Sequence, residues 1–283
     1  DAQGEPLAPR DILVMVPDIA TYAPHIQAVF GQFVRDDGQR DRRHIPYHIA
    51  DQGQRQRHPL LVGLEHLLRL PQARFSVTEL LDLLDIPALR ARFDLDEAHL
   101  PALREWIRGA NIRWGLHGTQ RAAMDLPDKL ERTTWRFGLQ RMLLGFAAGD
   151  AGAWQGIEPH AAVRGLEAER VGALYDLLST LERYWQSMQQ TRTPEAWAAL
   201  ISKLLDDIFR ADTSAEQNLL LRLREALEGW VAESELAGAG AELLPLEVVS
   251  DALMPSLDSP TLSQRFLAGA VNFATLMPMR AIP

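Results

Sequence analysis

Arginine beside a large aromatic residue is the pattern in this sequence that could best contact nucleic acid. The candidate pairs are Arg113-Trp114, Trp135-Arg136-Phe137 and Arg265-Phe266. A guanidinium group can hold a phosphate through two parallel hydrogen bonds, and an aromatic ring can stack on an unpaired base. These pairs are therefore candidate contacts, although the base composition of a genome can also enrich a sequence in arginine.

Helical periodicity gives a simpler interpretation of the aromatic residue in the second pair. The apolar face of a helix here would comprise Trp135, Leu139, Met142 and Phe146. Trp135 is therefore predicted to lie in the core. Arg136 and Arg141 lie off this face and are candidates for contact with DNA or with another subunit. Trp114 follows Arg113 in a predicted turn and could either pack or stack on a base.

Catalytic and metal-binding motifs are missing. There is no Gly-x-x-x-x-Gly-Lys-Ser/Thr loop, and neither Lys129 nor Lys203 follows a glycine, which excludes a P-loop. There is no Gly-x-Ser-x-Gly elbow, and the absence of cysteine excludes a thiolate site. His44 and His48 are four residues apart, but Pro46 between them argues against a shared helical face for zinc. We expect no catalytic residue, metal or other cofactor in this segment.

The charge of the chain is negative overall and unevenly distributed. The formal net charge is -9, whereas a free-standing nucleic-acid-binding domain is usually basic. Arg104–Arg141 contains eight basic and four acidic residues, while Ala211–Ser259 contains two basic and ten acidic ones. The acidic segment can be a solvated helical face, as can the carboxylate pair Asp206-Asp207. Alternatively, one side of the molecule faces DNA and another faces water or a partner.

Short apolar runs near both ends of the sequence predict β-strands. Ile12–Val16 ends at Pro17, a helix is predicted at Pro24–Val34, and Ile45–Ile49 is a second strand. This order of elements favours parallel pairing. Val271–Leu276 is a comparable apolar run near the other end. Because a lone strand leaves its backbone donors unpaired, we expect it to pair side by side with Ile12–Val16.

The sequence between these strands has helical spacing almost throughout. Ser76–Glu79 is a capping box, Pro194 suits the first turn of a helix, and Asp212 or Ser214 is the expected cap of the next one. Gly115–Lys129 is predicted to be a polar loop. The predicted fold class is mainly α, with a helical subdomain inserted between short strands of an α/β platform. The predicted regions are a linker at 1–10, the start of the platform at 11–55, the inserted helical subdomain at 56–262 and the returning strand at 263–283.

Five runs of unusual composition occur in the same order as in a known family. They are Asp11–Asp18, Thr134–Leu139, Arg141–Gly145, Ser263–Gly269 and Thr275–Arg280. Through these runs, nearly the whole chain resembles the gamma subunit of exodeoxyribonuclease V, the RecC family. The family protein extends beyond both ends of this sequence. The resemblance therefore implies an internal fragment of a longer subunit.

The end strands also resemble helicase motifs of superfamily 1, and the differences from those motifs are informative. Pro17 stands where the first motif has Arg, and Met277, Arg280 and Pro283 stand where the second has His, Lys and Glu. Proline offers a nucleotide phosphate neither charge nor donor. The resemblance therefore implies a helicase-like platform that has lost its nucleotide chemistry. Arg280 is a candidate DNA contact, because strand ends of such platforms face the ligand.

The resemblance also implies a function, partners and a location. The chain would be a non-catalytic scaffold that channels DNA in a cytoplasmic helicase–nuclease, which processes double-strand breaks for recombinational repair. Its partners would be the motor and nuclease (beta) subunit, the second helicase (alpha) subunit and DNA ends. No membrane contact is expected, because no apolar run approaches the ~18 residues of a membrane span. The candidate DNA-binding residues are Arg113, Trp114, Arg136, Arg141, Arg265 and Arg280.

A second hypothesis is a stand-alone helical protein-interaction module. The missing catalytic motifs and the acidic balance both suit it. Arginine-dependent binding to forked DNA by the assembled complex would discriminate against it.

Overall fold

The chain divides into two compact units, and the structure describes part of each. The computed structural model describes residues 7–33, 43–49, 58–127, 130–149, 152–258 and 270–275. One unit combines Asp1–His58 with Asp258–Pro283, and the other is Pro59–Leu257. Candidates Arg265 and Arg280 lie outside the described residues.

Within the described residues, the smaller unit contains a three-stranded parallel sheet. Its strands are β1 Leu13–Val16, β2 Tyr47–Ile49 and β3 Val271–Thr275. The strand order is β1-β3-β2, with Leu13 opposite Asn272 and Tyr47 opposite Val271. The predicted pairing of the first and last strands is therefore confirmed. β1 and β2 are not direct neighbours, because β3 lies between them and pairs with both.

The helix of this unit begins earlier than the sequence predicts. Helix α1 spans Ile19–Phe30 and contains Pro24, where we expected it to start. Its buried face comprises Ile19, Ala23 and Ile26, which form one core with residues of β2 and β3. Ile19 and Ala23, which precede Pro24, are buried in this core, and their burial stabilises an additional helical turn before the proline. Proline inside a helix would by itself disfavour that turn, because it removes a backbone donor and clashes with the preceding turn. Tertiary packing therefore sets the start of this helix.

The larger unit is mainly helical, which confirms the predicted class. Its helices are α2 Pro59–Leu68, α3 Val77–Leu84, α4 Pro87–Arg92, α5 Leu100–Gly109, α6 Gly118–Ala122, α7 Trp135–Ala148, α8 Ala168–Ser187, α9 Pro194–Ile208, α10 Ser214–Leu236 and α11 Leu246–Asp258. Among the residues described, none of these helices has the length and apolarity needed to cross a membrane.

Side-chain caps define the starts of several helices. The predicted box at the start of α3 is confirmed: Ser76 N–H donates to Glu79 Oε2 (2.6 Å), and Glu79 N–H donates to Ser76 Oγ (3.2 Å). Thr213 caps α10 instead of the two neighbours that we expected. Thr213 N–H donates to Glu216 Oε2 (3.0 Å), and Glu216 N–H donates to Thr213 Oγ1 (3.2 Å). Thr213 is the cap, rather than Asp212 or Ser214, because it forms a reciprocal capping box with Glu216 that satisfies two backbone donors at once.

Trp135 lies in the core, as predicted, and its indole also ties two elements together. Its Nε1–H donates to Phe75 O (2.8 Å), so the polar atom of this buried ring is satisfied. The expectation that Phe146 shares this core face was wrong, since Phe146 is 48% exposed. The buried face of α7 continues through Gly145, which leaves Phe146 at its edge.

Two glycines of α7 allow other parts of the chain to approach this helix closely. A Cβ on Gly138 would overlap the side chain of Ile112, and a Cβ on Gly145 would overlap the carbonyl of His160. The same segment is held by a hydrogen bond from His160 N–H to Arg141 O (2.8 Å). The segment after α7 therefore returns to the helix at a distance that glycine alone permits.

We predict that Gly145→Ala destabilises the fold by about 1–3 kcal/mol, because the added methyl group overlaps a backbone carbonyl that cannot rotate away. Gly229→Ala is the matched control, since Gly229 is an exposed helical glycine with open space around it. The control should stabilise the protein by roughly 0.5–1 kcal/mol through helix propensity. Urea unfolding followed by circular dichroism measures both. Equal free energies of unfolding for the two variants would contradict the packing argument.

Candidate nucleic-acid interface

Three backbone segments meet at the start of α7 and carry two of the candidate arginines, Arg113 and Arg136. Arg113 N–H donates to Thr133 O (2.9 Å), and Gly115 N–H donates to Arg74 O (3.0 Å). Gly115 O in turn accepts from Trp135 N–H (2.9 Å). Gly115 and Thr133 have φ angles of 77° and 69°, which turn the chain sharply on both sides of this junction. Residues far apart in sequence therefore share one local framework.

Arg121 is the buried centre of this framework. Its Nη1 donates to Leu130 O (2.7 Å) and Arg132 O (2.9 Å). Its Nη2 donates to Trp114 O (2.6 Å) and Thr133 Oγ1 (3.1 Å). One planar guanidinium group thus satisfies acceptors from both sides of the loop, which a compact ammonium group could not do.

The burial of Arg121 affects its own acidity and its glycine neighbour. Burial lowers the pKa of Arg121 from its ordinary value, while the nearby Glu131 carboxylate acts in the opposite direction. Its Nε is buried without a hydrogen-bond partner among the described atoms, and a Cβ on Gly115 would lie 2.6 Å from it. Gly115 is therefore required both for its positive φ and for the space that the guanidinium group occupies.

Trp114 packs within the chain on one of its two faces. The guanidinium carbon of Arg121 lies 4.2 Å from the centroid of the Trp114 ring. Trp114 is half-buried. Packing therefore accounts for the face that contacts Arg121.

Four arginines emerge into solvent from the same three segments. Arg74, Arg113, Arg132 and Arg136 are all exposed. In the part of the chain that the structure describes, the guanidinium groups of the first three form no ion pair. Arg136 lies 3.6 Å from Glu182 Oε1 and is 49% exposed. These four residues are called the exposed arginine cluster. Three of them, Arg74, Arg113 and Arg132, present positive charge that no described residue pairs.

A short helix fills part of the predicted polar loop. Helix α6 forms because His117 acts as its cap, with Gln120 N–H donating to His117 Nδ1 (3.2 Å). The other ring nitrogen, Nε2, lies 2.8 Å from Glu182 Oε1, although the contact is poorly aligned for a hydrogen bond. The expectation of a loop at Gly115–Lys129 was therefore wrong for this stretch. Histidine is not among the preferred capping residues, so the sequence gives little sign of this start.

Arg141 has donors that are occupied by backbone carbonyls. Its Nη1 donates to Ala110 O (2.9 Å) and its Nε donates to Glu158 O (2.9 Å). These bonds tie the end of α5 to the segment that returns to α7. Burial lowers the pKa of His160 in this segment, and the charge of Arg141 lowers it further. Arg141 therefore holds the fold, and we do not include it in the exposed arginine cluster.

The carboxylate pair on α9 is only partly a solvated pair. Asp207 Oδ2 accepts from Tyr184 Oη–H (2.7 Å) and from Arg183 Nη2 (2.9 Å), whereas Asp206 is exposed and pairs with Arg224. Burial raises the pKa of Tyr184, and the hydrogen bond to Asp207 raises it further. Asp207 thus connects α9 to α8 through two hydrogen bonds. The sequence analysis, which treated the pair as solvated, did not predict this contact.

The family model described as RecBCD enzyme subunit RecC fourth domain matches residues 57–261. The chain belongs to the RecC family. The RecBCD enzyme subunit RecC of Escherichia coli (strain K12) is 42% identical over 278 residues, which cover 98% of this chain and 24% of that protein. The corresponding subunit of Haemophilus influenzae is 36% identical, with 99% and 24% covered, and that of Mycolicibacterium smegmatis is 33% identical, with 100% and 26% covered. The chain spans about a quarter of the length of these curated relatives.

The described residues of this RecC-family chain contain no group of three or more His, Cys, Asp or Glu that could hold a metal ion. Arg113, Trp114 and Arg136, which the sequence singles out, are brought together by the framework around Arg121. Arg74 and Arg132 join them, and the sequence analysis missed both. Arg74 precedes Phe75 in the same pattern as Arg265-Phe266, whereas Arg132 has no aromatic neighbour. Their proximity follows from hydrogen bonds between distant segments.

We predict that Arg121→Lys destabilises this RecC-family chain by about 2–4 kcal/mol, because an ammonium group leaves buried carbonyl groups unpaired. Arg108→Lys is the matched control, since Arg108 is exposed on α5 and should change stability by at most about 0.5 kcal/mol. Urea unfolding measures both variants. If Arg121→Lys unfolds together with the control, Arg121 is not the centre of the framework.

Proposed function

We propose that the chain is a non-catalytic scaffold that channels DNA in a helicase–nuclease complex for the processing of double-strand breaks and recombinational repair. Its partners in this proposal are the motor and nuclease (beta) subunit, the second helicase (alpha) subunit and DNA ends. The exposed arginine cluster is the observation that carries the proposal. Arg74, Arg113 and Arg132 expose guanidinium groups without ion pairs among the described residues.

The chemistry of these arginines suits a phosphate backbone. Each guanidinium group can donate two parallel hydrogen bonds to one phosphate. The framework around Arg121 fixes the backbone from which they project, so less conformational entropy is lost on binding than for side chains on a flexible loop. The net charge of -9 opposes long-range attraction of DNA, and affinity must therefore come from this local cluster.

The absence of catalytic motifs supports a scaffolding role. The sequence has no P-loop, and Pro17 and Pro283 stand at positions where the helicase motifs that it resembles have Arg and Glu. A polypeptide without these groups cannot bind and hydrolyse a nucleotide in the manner of those motors. In this proposal the chain positions DNA while other subunits supply the chemistry.

A second candidate is a stand-alone helical protein-interaction module. The acidic segment Ala211–Ser259 favours it, with ten acidic residues against two basic ones. Leu236, at the end of α10, is 89% exposed and would suit an apolar contact. Binding of DNA through the exposed arginine cluster is the property that separates the two candidates.

We predict that the chain by itself neither hydrolyses ATP nor degrades DNA, because it lacks a P-loop and the Arg and Glu of the helicase motifs. Steady-state ATPase and nuclease assays on the purified chain check this, with a mock purification from cells lacking the chain as the control. Turnover above that background would show that the non-catalytic assignment is wrong.

We predict that Arg113→Ala and Arg132→Ala each weaken binding of the assembled complex to forked DNA. Each change should lower the slope of log K against log salt by about 0.7–0.9, the loss expected for one phosphate contact. Arg222→Ala, on the acidic helix α10, removes the same charge and should leave the slope unchanged. The measurement is a titration of labelled fork at several salt concentrations. Unchanged slopes in both test variants, alongside normal stability, would refute the assignment of this surface to DNA.

A further inference from the structure

A pocket of about 260 Å³ lies between α7 and α8, beside the framework that carries the exposed arginines. Its apolar lining includes Trp135, Leu139 and Leu178, which are buried. Leu143 and Tyr175 line it as well, and they are 43% and 53% exposed. The described chain therefore leaves a hollow between two helices that is open to solvent, with a mixed apolar and polar lining and the Tyr175 ring on its wall.

The rim of this pocket is polar and is oriented by contacts within the fold. Arg136, Gln140 and Glu182 line it. Glu182 Oε1 faces His117 Nε2 at 2.8 Å and Arg136 Nη2 at 3.6 Å. A carboxylate held in this way presents a hydrogen-bond acceptor, and the amide of Gln140 offers both a donor and acceptor.

The pocket adjoins the exposed arginine cluster, because Arg136 belongs to both and backbone hydrogen bonds connect the segments that carry them. Arg136 N–H donates to Leu116 O (3.0 Å), and both residues line the pocket. Arg113 pairs with Thr133 on the neighbouring segments. A polyanion held by the arginines would thus pass next to a hollow that exposes the Tyr175 ring.

We propose that this pocket receives one unstacked nucleobase of a single strand. The inference rests on the proposed function, because the exposed arginine cluster holds the phosphates of the same strand. Tyr175 provides the stacking surface, and Glu182 and Gln140 contact the edge of the base. All four bases carry an N–H donor on the Watson–Crick edge, so a carboxylate acceptor there tolerates sequence variation.

The size and charge of the pocket favour a base over other occupants. Its volume is below the ~300–1,000 Å³ typical of sites for drug-sized ligands, which suits one flat ring system. An apolar side chain of a partner protein could also fill the hollow. Arg136 on the rim is paired with Glu182, but Arg74, Arg113 and Arg132 on the adjoining segments form no ion pair among the described residues. These three favour a ligand with repeated negative charge, and single-strand sites combine such a groove with aromatic stacking.

The test compares two single strands that have identical phosphates. One is a normal oligonucleotide and the other has abasic sites throughout, and both are titrated against the assembled complex. Tyr175→Ala should weaken binding of the normal strand by about tenfold, the usual effect of losing one stacked base, and should not affect binding of the abasic strand. Tyr175→Phe keeps the ring and should retain the parent affinity. Tyr22→Ala removes another exposed tyrosine and is the matched control.

A photo-crosslink locates the base independently of affinity. An oligonucleotide that contains 5-iododeoxyuridine should crosslink to Tyr175 in the parent complex, with the site identified by mass spectrometry of the digested protein. The crosslink at this position should be lost in Tyr175→Ala and unaffected by Tyr22→Ala.

The outcomes separate this inference from the proposed function. If Arg113→Ala and Arg132→Ala lower the salt slope but Tyr175→Ala binds both strands like the parent, the DNA interface stands and the base pocket is wrong. If neither set of variants changes binding, both are wrong. If Tyr175→Ala releases a partner subunit without a base-dependent change in affinity, the pocket holds a protein side chain and the inference is overturned. A base-dependent loss together with the crosslink supports it.

Discussion

The buried guanidinium group of Arg121 is the interaction on which the candidate interface depends. Four hydrogen bonds from one planar group satisfy the carbonyls of Leu130, Arg132 and Trp114 and the hydroxyl of Thr133. Buried carbonyls without donors are costly, so this single side chain allows an irregular loop to pack against helices. The exposed arginines then project from a backbone that these hydrogen bonds hold in place.

A second arginine donates to backbone carbonyls where the chain returns to α7. Arg141 donates to carbonyls of Ala110 and Glu158, and Gly145 permits the backbone of His160 to approach the helix. Besides forming ion pairs such as that of Arg183 with Asp207, arginine in the described chain therefore has two further physical roles. Where its donors meet backbone carbonyls, it replaces regular secondary structure as the source of hydrogen bonds. Where its donors meet solvent, it is available to an external anion.

This division of roles links the fold to the proposed function. The chain is acidic overall, so its surface as a whole repels DNA, and a localised cluster is needed to define where a strand can lie. In the proposed function, the acidic segment around α10 and α11 would make binding of DNA elsewhere on the chain unfavourable. A scaffold that channels DNA benefits from both acidic and basic surfaces. Acidic surfaces repel the strand and basic ones attract it, and both effects restrict where the strand can lie.

Local sequence chemistry was sufficient for some features because it acts over a few residues. The capping box of Ser76 and Glu79, the core position of Trp135 and the mainly helical class all follow from spacing within one or two turns. The pairing of β1 with β3 was also predictable, because a short apolar strand requires a partner and the sequence offers few. Phe146 shows where prediction from helical periodicity fails, since the buried face of α7 runs through Gly145 and leaves Phe146 exposed.

The composition of the interface was decided only by the tertiary structure. Arg74 and Arg113 are distant in sequence, and the hydrogen bond from Gly115 N–H to Arg74 O makes their segments neighbours. No local propensity reports such a bond. The distinction between Arg121, Arg141 and the exposed arginines is likewise invisible in the sequence, because all have the same side chain. Burial and the proximity of backbone carbonyls assign each its role, and both are properties of the folded chain.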